Sequence, residues 1–127
     1  MIIISYRKQV TRETTKTIEL CEGDTELCTI DGVSYASVQD ASAVIDPHNI
    51  GFKIEVMDEE LRENLCAQSP HVQLIQQRVR DKIAELYSVH DEIKLIRTAP
   101  SHEFDAYNEH AELCRQWGRE QKADLGL

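Results

Sequence analysis

The chain has 127 residues, of which 41% are hydrophobic and 29% are charged, so it is long and apolar enough to form a packed core. Its formal net charge is −9 at pH 7. Nucleic acids and anionic membranes attract basic surfaces, so this charge disfavours both as partners.

The first residues and the cysteines indicate in which compartment we expect the protein to work. The longest apolar run spans residues 1–4, far short of a membrane span, and the first residues lack the basic and apolar regions of a signal peptide. No two cysteines have C-x-x-C spacing, which weakens both a zinc and a redox interpretation. The four cysteines are Cys21, Cys28, Cys66 and Cys114. We expect an intracellular protein with reduced thiols.

The first half of the chain has the two-residue period of β-strands. Apolar side chains recur at alternate positions within three segments, and each segment is predicted to form a strand. The segments are residues 2–6, 15–22 and 52–56. The apolar positions are Ile2, Ile4, Tyr6, Ile18, Leu20, Phe52, Ile54 and Val56.

The strongest local signal is the Asp-Gly pair at residues 31–32, which tolerates the positive φ of a type I′ hairpin. A two-residue loop there would place Ile30 opposite Val33 and Cys28 opposite Tyr35, on one apolar face. Short strands, tight turns and no long crossover helix predict an antiparallel sheet over residues 1–57, with one face in solvent.

From residue 58 onward the apolar residues recur at the three- and four-residue spacing of a helix. Asp58, Ser69, Ser88 and Ser101 are predicted to cap the starts of four helices, with Pro70 at the first position of the second. Asp91 is predicted to complete a capping box with Ser88. The sequence therefore predicts an α+β fold: an antiparallel β domain over residues 1–57 and a helical region of antiparallel-packed helices over residues 58–127.

Three of these helices carry apolar stripes that are predicted to face inward. The second helix has Val72, Ile75, Val79, Ile83 and Leu86. The third has Val89, Ile93 and Ile96. The fourth has Phe104, Tyr107, Ala111, Cys114 and either Trp117 or Gly118.

The stretch RTAPSHEFDAY, residues 97–107, contains a histidine and two acids between two helical patterns. Pro100 disfavours helical geometry at Ala99, so the third helix is predicted to end there. Ser101 then caps the next helix, whose first turn favours acids. We interpret the stretch as a corner in which His102 is a solvated residue without a catalytic task.

The sequence gives little support for any other metal-binding or catalytic site. His110 and Cys114 have the i, i+4 spacing of two metal ligands, but two ligands do not hold a structural zinc. The acid clusters coincide with helix starts and solvated helix faces, and Arg78, Arg80 and Lys82 are interpreted as a solvated basic face. No glycine-rich phosphate loop or nucleophile elbow is present. We therefore predict no catalytic residue, cofactor or metal site, and an enzyme or metal protein is the disfavoured alternative.

Three residues of the last helix are candidates for binding a partner: Tyr107, Arg115 and Trp117. Tyr107 and Trp117 are ten residues apart, so they lie about 80° apart around that helix and on the same half of it. Two interpretations stay open, a core position for both aromatic residues or a docking surface that the small sheet leaves uncovered. Arginine and aromatic anchors commonly supply much of the binding energy of a protein interface.

Residues 87–127 contain the pattern Y-S-x-x-D-E-I-x-L-x-R, the run F-x-A-Y-N and the closing W-G-R-E-Q-K. This segment, about a third of the chain, resembles the C-terminal end of small proteins encoded in bacteriophage and prophage tail modules. Some tail-fibre assembly proteins share the layout of a small β-rich part followed by a helical part.

The resemblance implies a role in assembly or in the virion, without catalysis. The expected function is that of a tail-fibre assembly chaperone, which would bind a tail-fibre or other tail protein in the host cytoplasm. The alternative that the resemblance leaves open is a permanent component of the tail or baseplate, associated with the virion.

Overall fold

A computed structural model describes residues 1–127, and it has the α+β fold that the sequence predicts. The strands are β1 (Ile2–Tyr6), β2 (Gln9–Val10), β3 (Thr15–Lys16), β4 (Thr25–Ile30), β5 (Val33–Val38) and β6 (Phe52–Ile54). The helices are α1 (Glu59–Gln68), α2 (Pro70–Ala84), α3 (Val89–Arg97) and α4 (His102–Asp124), and a 3₁₀ turn spans Ala41–Ala43. The chain forms two compact units, residues 1–72 with 124–127, and residues 73–123.

The first unit contains a four-stranded antiparallel sheet in the order β4-β5-β1-β6, and β2 and β3 form a separate two-stranded ribbon. The hairpin at residues 31–32 is confirmed, with Ile30 opposite Val33 and Cys28 opposite Tyr35. Both loop residues have positive φ, as a type I′ turn requires.

Two strand predictions are wrong in part. Residues 15–22 do not form one strand, because only Thr15–Lys16 pairs with β2 and Glu19 makes an isolated bridge to Ile45. The strand at residues 52–56 is shorter than predicted, and Ile54 and Val56 are exposed. Alternation identifies apolar positions but not whether a neighbouring element lies over them.

The sheet is covered on both faces, contrary to the predicted solvent-exposed face. On one face, Ile4 and Val38 pack with Ile18 and with parts of the loop that follows β5. On the other, Ile3 and Leu27 pack with Leu65 of α1. Because α1 belongs to this core, the first unit extends well beyond the predicted boundary at residue 57.

The predicted cap of α1 is confirmed, since the Asp58 carboxylate accepts from the Leu61 N–H at 2.7 Å. The predicted cap of α2 is wrong in its hydrogen bond. Ser69 does precede Pro70 at the start of α2, but its hydroxyl has no hydrogen-bond partner, and its N–H donates to the Leu65 carbonyl at the end of α1. Ser69 therefore closes α1 through its N–H, and its hydroxyl makes no capping hydrogen bond to α2.

In the second unit, the inward stripes of α2 and α4 form one core. Buried Ile83, Tyr107, Ala111 and Cys114 pack with partly buried side chains from α2, α3, α4 and the segment before α3. Leu86 departs from the predicted stripe, because α2 ends at Ala84 and the Leu86 side chain is exposed.

The corner at residues 97–107 is confirmed. The capping box of Ser88 and Asp91 starts α3, which ends at Arg97, and the Ala99–Pro100 peptide bond is cis. The Ser101 hydroxyl then accepts from the Phe104 N–H at 3.0 Å at the start of α4.

Candidate protein-binding surface

Tyr107 lies inside the core of the second unit and is only 8% exposed. Its ring meets the Tyr87 ring edge to face, with centroids 5.0 Å apart, and the Phe104 ring lies 6.2 Å away. This arrangement is a packed aromatic cluster. Of the two interpretations of Tyr107, the structure supports the core position, and the side chain is not presented to a partner.

Trp117 is partly buried, and the Lys82 ammonium nitrogen lies 4.6 Å from the centroid of its ring. A cation in that position is attracted by the negative face of the indole. Lys82 and Trp117 therefore form a contact between α2 and α4. A partner that uses the same ring face has to displace the lysine.

Arg115 is exposed, and its nearest carboxylate, that of Glu112, lies 4.0 Å away. Arg115 and Trp117 are two residues apart on α4, which rotates their side chains by about 200° around the helix axis. The two side chains therefore lie on different sides of the buried stripe. The structure does not bring Tyr107, Arg115 and Trp117 together as one surface, and binding by Arg115 or Trp117 stays a prediction.

The clearest exposed apolar surface is on α3. Val89, Ile93 and Ile96 are 72%, 46% and 61% exposed, and we call these three residues the α3 apolar face. Their spacing of four and three residues places them on one side of the helix. The prediction that they face inward is wrong, because α3 packs on the core through Leu95 instead.

A groove of about 680 Å³ lies beside α3. Tyr87, Lys94, Leu95 and Ala106 contribute to its walls, together with the exposed Leu86 at one end. The helix thus has an apolar face in solvent and an open groove on another side. Exposed apolar surface of this kind is typical of sites at which a protein binds another protein.

Of the polar candidates, His110 and Cys114 lie next to each other on α4. The His110 Nε2 atom lies 3.3 Å from the Lys82 carbonyl oxygen and 3.7 Å from the Cys114 sulfur, and Cys114 is buried. No group of three or more histidine, cysteine or acidic side chains is placed to hold a metal ion. His102 is exposed in the first turn of α4.

The lowered pKa of Asp91 also has a structural cause. The Asp91 carboxylate accepts from the Ser88 N–H in the capping box, and this hydrogen bond, with one from the Ser88 side chain, lowers the pKa of Asp91. A shift of this origin belongs to the start of α3 and indicates no reactive group.

Comparisons with protein-family models, with curated proteins and with solved structures give no significant match. None of the helices combines the length and the apolar composition that crossing a bilayer requires.

Proposed function

We propose that this chain is a non-catalytic binding protein of a bacteriophage or prophage tail module, and that it acts as a tail-fibre assembly chaperone in the host cytoplasm. The α3 apolar face is the observation that carries the proposal. The resemblance of residues 87–127 supplies the biological setting, and the exposed face supplies a physical means of binding the fibre protein.

The first pattern of that resemblance, Y-S-x-x-D-E-I-x-L-x-R, coincides with α3. Ser88 and Asp91 form the capping box, and Tyr87 and Leu95 pack on the core. Folding therefore accounts for four positions of the pattern. Ile93 belongs to the same pattern but remains 46% exposed, so we assign it a role in binding.

The size of the surface favours transient binding over permanent assembly. The nine residues of α3 span about 13 Å, and three aliphatic side chains cannot supply the roughly 800 Å² per partner of a standard stable interface. Interfaces below that size are typical of weak or transient complexes. A chaperone that must release its client fits such a surface better than a permanent tail component does.

The test is co-expression with the tail-fibre protein encoded in the same tail module. The unmodified chain is expected to co-purify with the fibre protein and to raise its soluble yield. The triple variant Val89→Ser, Ile93→Ser and Ile96→Ser should lose both effects while it keeps its fold, because these side chains contribute little to the core. Leu113→Ser is the matched control, since Leu113 is an exposed apolar residue of α4.

Two outcomes would contradict the proposal. If the triple variant supports the fibre protein as well as the unmodified chain does, the α3 apolar face has no part in binding. If purified phage particles contain this chain in fixed proportion to the tail proteins, it is a permanent virion component and not a chaperone.

A further inference from the structure

A groove of about 440 Å³ lies between α2 and α4 in the second unit. Four basic side chains line it: Arg80 on α2, and Arg115, Arg119 and Lys122 on α4. Arg80 and the α4 residues are far apart in the sequence, so the sequence does not show that they are neighbours. The packing of the two helices assembles them into one positive cluster.

The floor of this groove is apolar. Ile75 and Val79 of α2 form it together with Gly118 of α4. A Cβ atom at residue 118 would lie 2.6 Å from the Val79 Cγ2 atom, so the glycine allows the two helices to touch beneath the basic rim. The groove therefore offers apolar contact below and positive charge above.

This positive cluster is unusual for the chain. The first unit holds 6 basic and 14 acidic residues, a net charge of −8, whereas the second holds 8 basic and 9 acidic residues, a net charge of −1. Half of the basic residues of the second unit line the groove. A concentration of one sign of charge in a cleft attracts a ligand of the opposite sign.

Glu112, on α4 itself, already contacts two of these basic side chains. The Glu112 Oε1 atom accepts from the Arg119 guanidinium, and its Oε2 atom lies 4.0 Å from the Arg115 guanidinium. Arg119 also donates to the Gln116 side chain. Each guanidinium has five N–H donors in a planar fork that matches a carboxylate, so these contacts leave donors for a ligand.

We propose that this groove docks an acidic peptide segment of the partner protein. Carboxylates of the segment bind Arg80 and Arg115, and an apolar side chain between them packs on Ile75 and Val79. The inference rests on the proposed function, because it names the chemistry that the bound protein presents. It also gives Arg115 the binding role that the sequence predicts, at a surface different from the α3 apolar face.

A peptide fits this groove better than a nucleic acid does. Proteins that bind single strands usually stack bases on aromatic side chains, and no aromatic residue lines the groove. Trp117, the nearest candidate on α4, has its ring under Lys82. A long polyanion would also meet a chain of net charge −9, whereas a short acidic segment needs only the groove.

The test is fluorescence anisotropy with a labelled synthetic peptide, Glu-Leu-Glu-Glu-Leu-Glu, and the full chain at low salt. The glutamine analogue of the peptide and a labelled oligothymidylate are the comparison probes. We expect the acidic peptide alone to bind, and added salt to weaken its binding. Arg80→Gln with Arg115→Gln should reduce its affinity about tenfold, as expected for two solvent-exposed charge pairs.

The matched control is Arg78→Gln with Arg97→Gln, which removes the same charge from exposed residues that do not line the groove. Equal losses in both double variants would overturn the proposal, because net charge and not the groove would then decide binding. Tighter binding of oligothymidylate than of the peptide would mean that the groove binds a nucleic acid and not a peptide. If the wild-type chain is an oligomer and the groove variant is a monomer, the ligand of the groove is a second copy of this chain.

The peptide measurement needs no fibre protein, so the two proposals can fail separately. Peptide binding without fibre co-purification would leave the groove proposal standing and overturn the proposed function. Fibre co-purification that depends on the α3 apolar face, without peptide binding, would support the proposed function and overturn the groove proposal.

Discussion

At the scale of single residues, backbone conformation makes the clearest demand at the β4–β5 loop. Asp31 has a φ of 50° and Gly32 a φ of 79°, and both values lie in the left-handed region. Asparagine, aspartate and glycine adopt this region at low cost, whereas β-branched residues resist it. The pairing of the two longest strands therefore depends on a loop of two residues.

Gly32→Val should destabilise the protein by about 1 kcal/mol or more, because valine must hold a positive φ. Chemical denaturation measures the loss. Gly32→Asn is the matched control and should cost less, since asparagine tolerates the left-handed region. Equal costs for the two variants would show that side-chain volume, and not φ, sets the penalty.

Tyr6 links stability to alkaline pH. Burial raises the pKa of Tyr6 above the ordinary tyrosine value, and its hydrogen bond to the Glu26 carboxylate and the charge of Glu26 raise it further. A group whose pKa is raised in the folded state stabilises the protein below its unfolded pKa of about 10. That contribution is lost as pH rises above this value.

Tyr6→Phe should therefore lower the free energy of unfolding at neutral pH by about 1 kcal/mol through the lost hydrogen bond, and should flatten its decline above pH 10. Urea unfolding at a series of alkaline pH values measures both effects. Tyr35→Phe, which removes a phenol of the same sheet outside this hydrogen bond, is the control. An unchanged alkaline slope in Tyr6→Phe would assign the decline to other groups.

At the scale of elements, the corner before α4 depends on one hydroxyl. The Ser101 Oγ atom accepts from the Phe104 N–H, which satisfies one of the first N–H groups of the helix. Ser101→Ala should cost about 1 kcal/mol in urea unfolding. His102→Ala should leave both stability and the proposed fibre binding nearly unchanged, because His102 is exposed. Loss of binding with an intact fold in His102→Ala would make the corner a site.

The contact between α2 and α4 depends on the missing side chain at residue 118. Gly118→Ala gains helix propensity of about 1 kcal/mol but forces Val79 to move, and overpacking typically costs 1–3 kcal/mol. We expect a net loss of about 1 kcal/mol. In a Val79→Ala background the clash is removed, so the same substitution should be neutral or stabilising. An equal cost in both backgrounds would show that Val79 is not the obstacle.

At the scale of the whole molecule, the end of the chain belongs to the first unit. Leu125 and Leu127 pack against the core that contains Ile3, Leu27 and Leu65, and residues 124–127 group with residues 1–72. The first unit therefore takes its core from both ends of the sequence, and its stability depends on residues that follow α4.

Leu125→Ser with Leu127→Ser should destabilise the chain by about 2 kcal/mol, because each side chain is partly buried and full burial contributes 1.5–3 kcal/mol. Chemical denaturation followed by far-UV circular dichroism measures the loss. Leu113→Ser removes an exposed leucine of α4 and should be nearly neutral. A double variant as stable as this control would place the last residues outside the core.

Local sequence signals predicted the start of most elements. The hairpin at residues 31–32, the caps at Asp58, Ser88 and Ser101 and the break near Pro100 all depend on neighbouring residues, whose chemistry the sequence displays directly. Ser69 is the exception, because it lies before the first residue of α2 but its hydroxyl makes no hydrogen bond to that helix. The α+β fold followed from the change of period near residue 58.

The tertiary structure alone decided which apolar stripe is buried and which surfaces are assembled from distant residues. Periodicity places Val89, Ile93 and Ile96 on one side of α3, but only the packing of Leu95 on the core shows that this side faces solvent. In the same way, only the contact of α2 with α4 brings Arg80 to Arg115. A sequence pattern records the period of a helix along its own axis, whereas the neighbour that it packs against is set by long-range contacts.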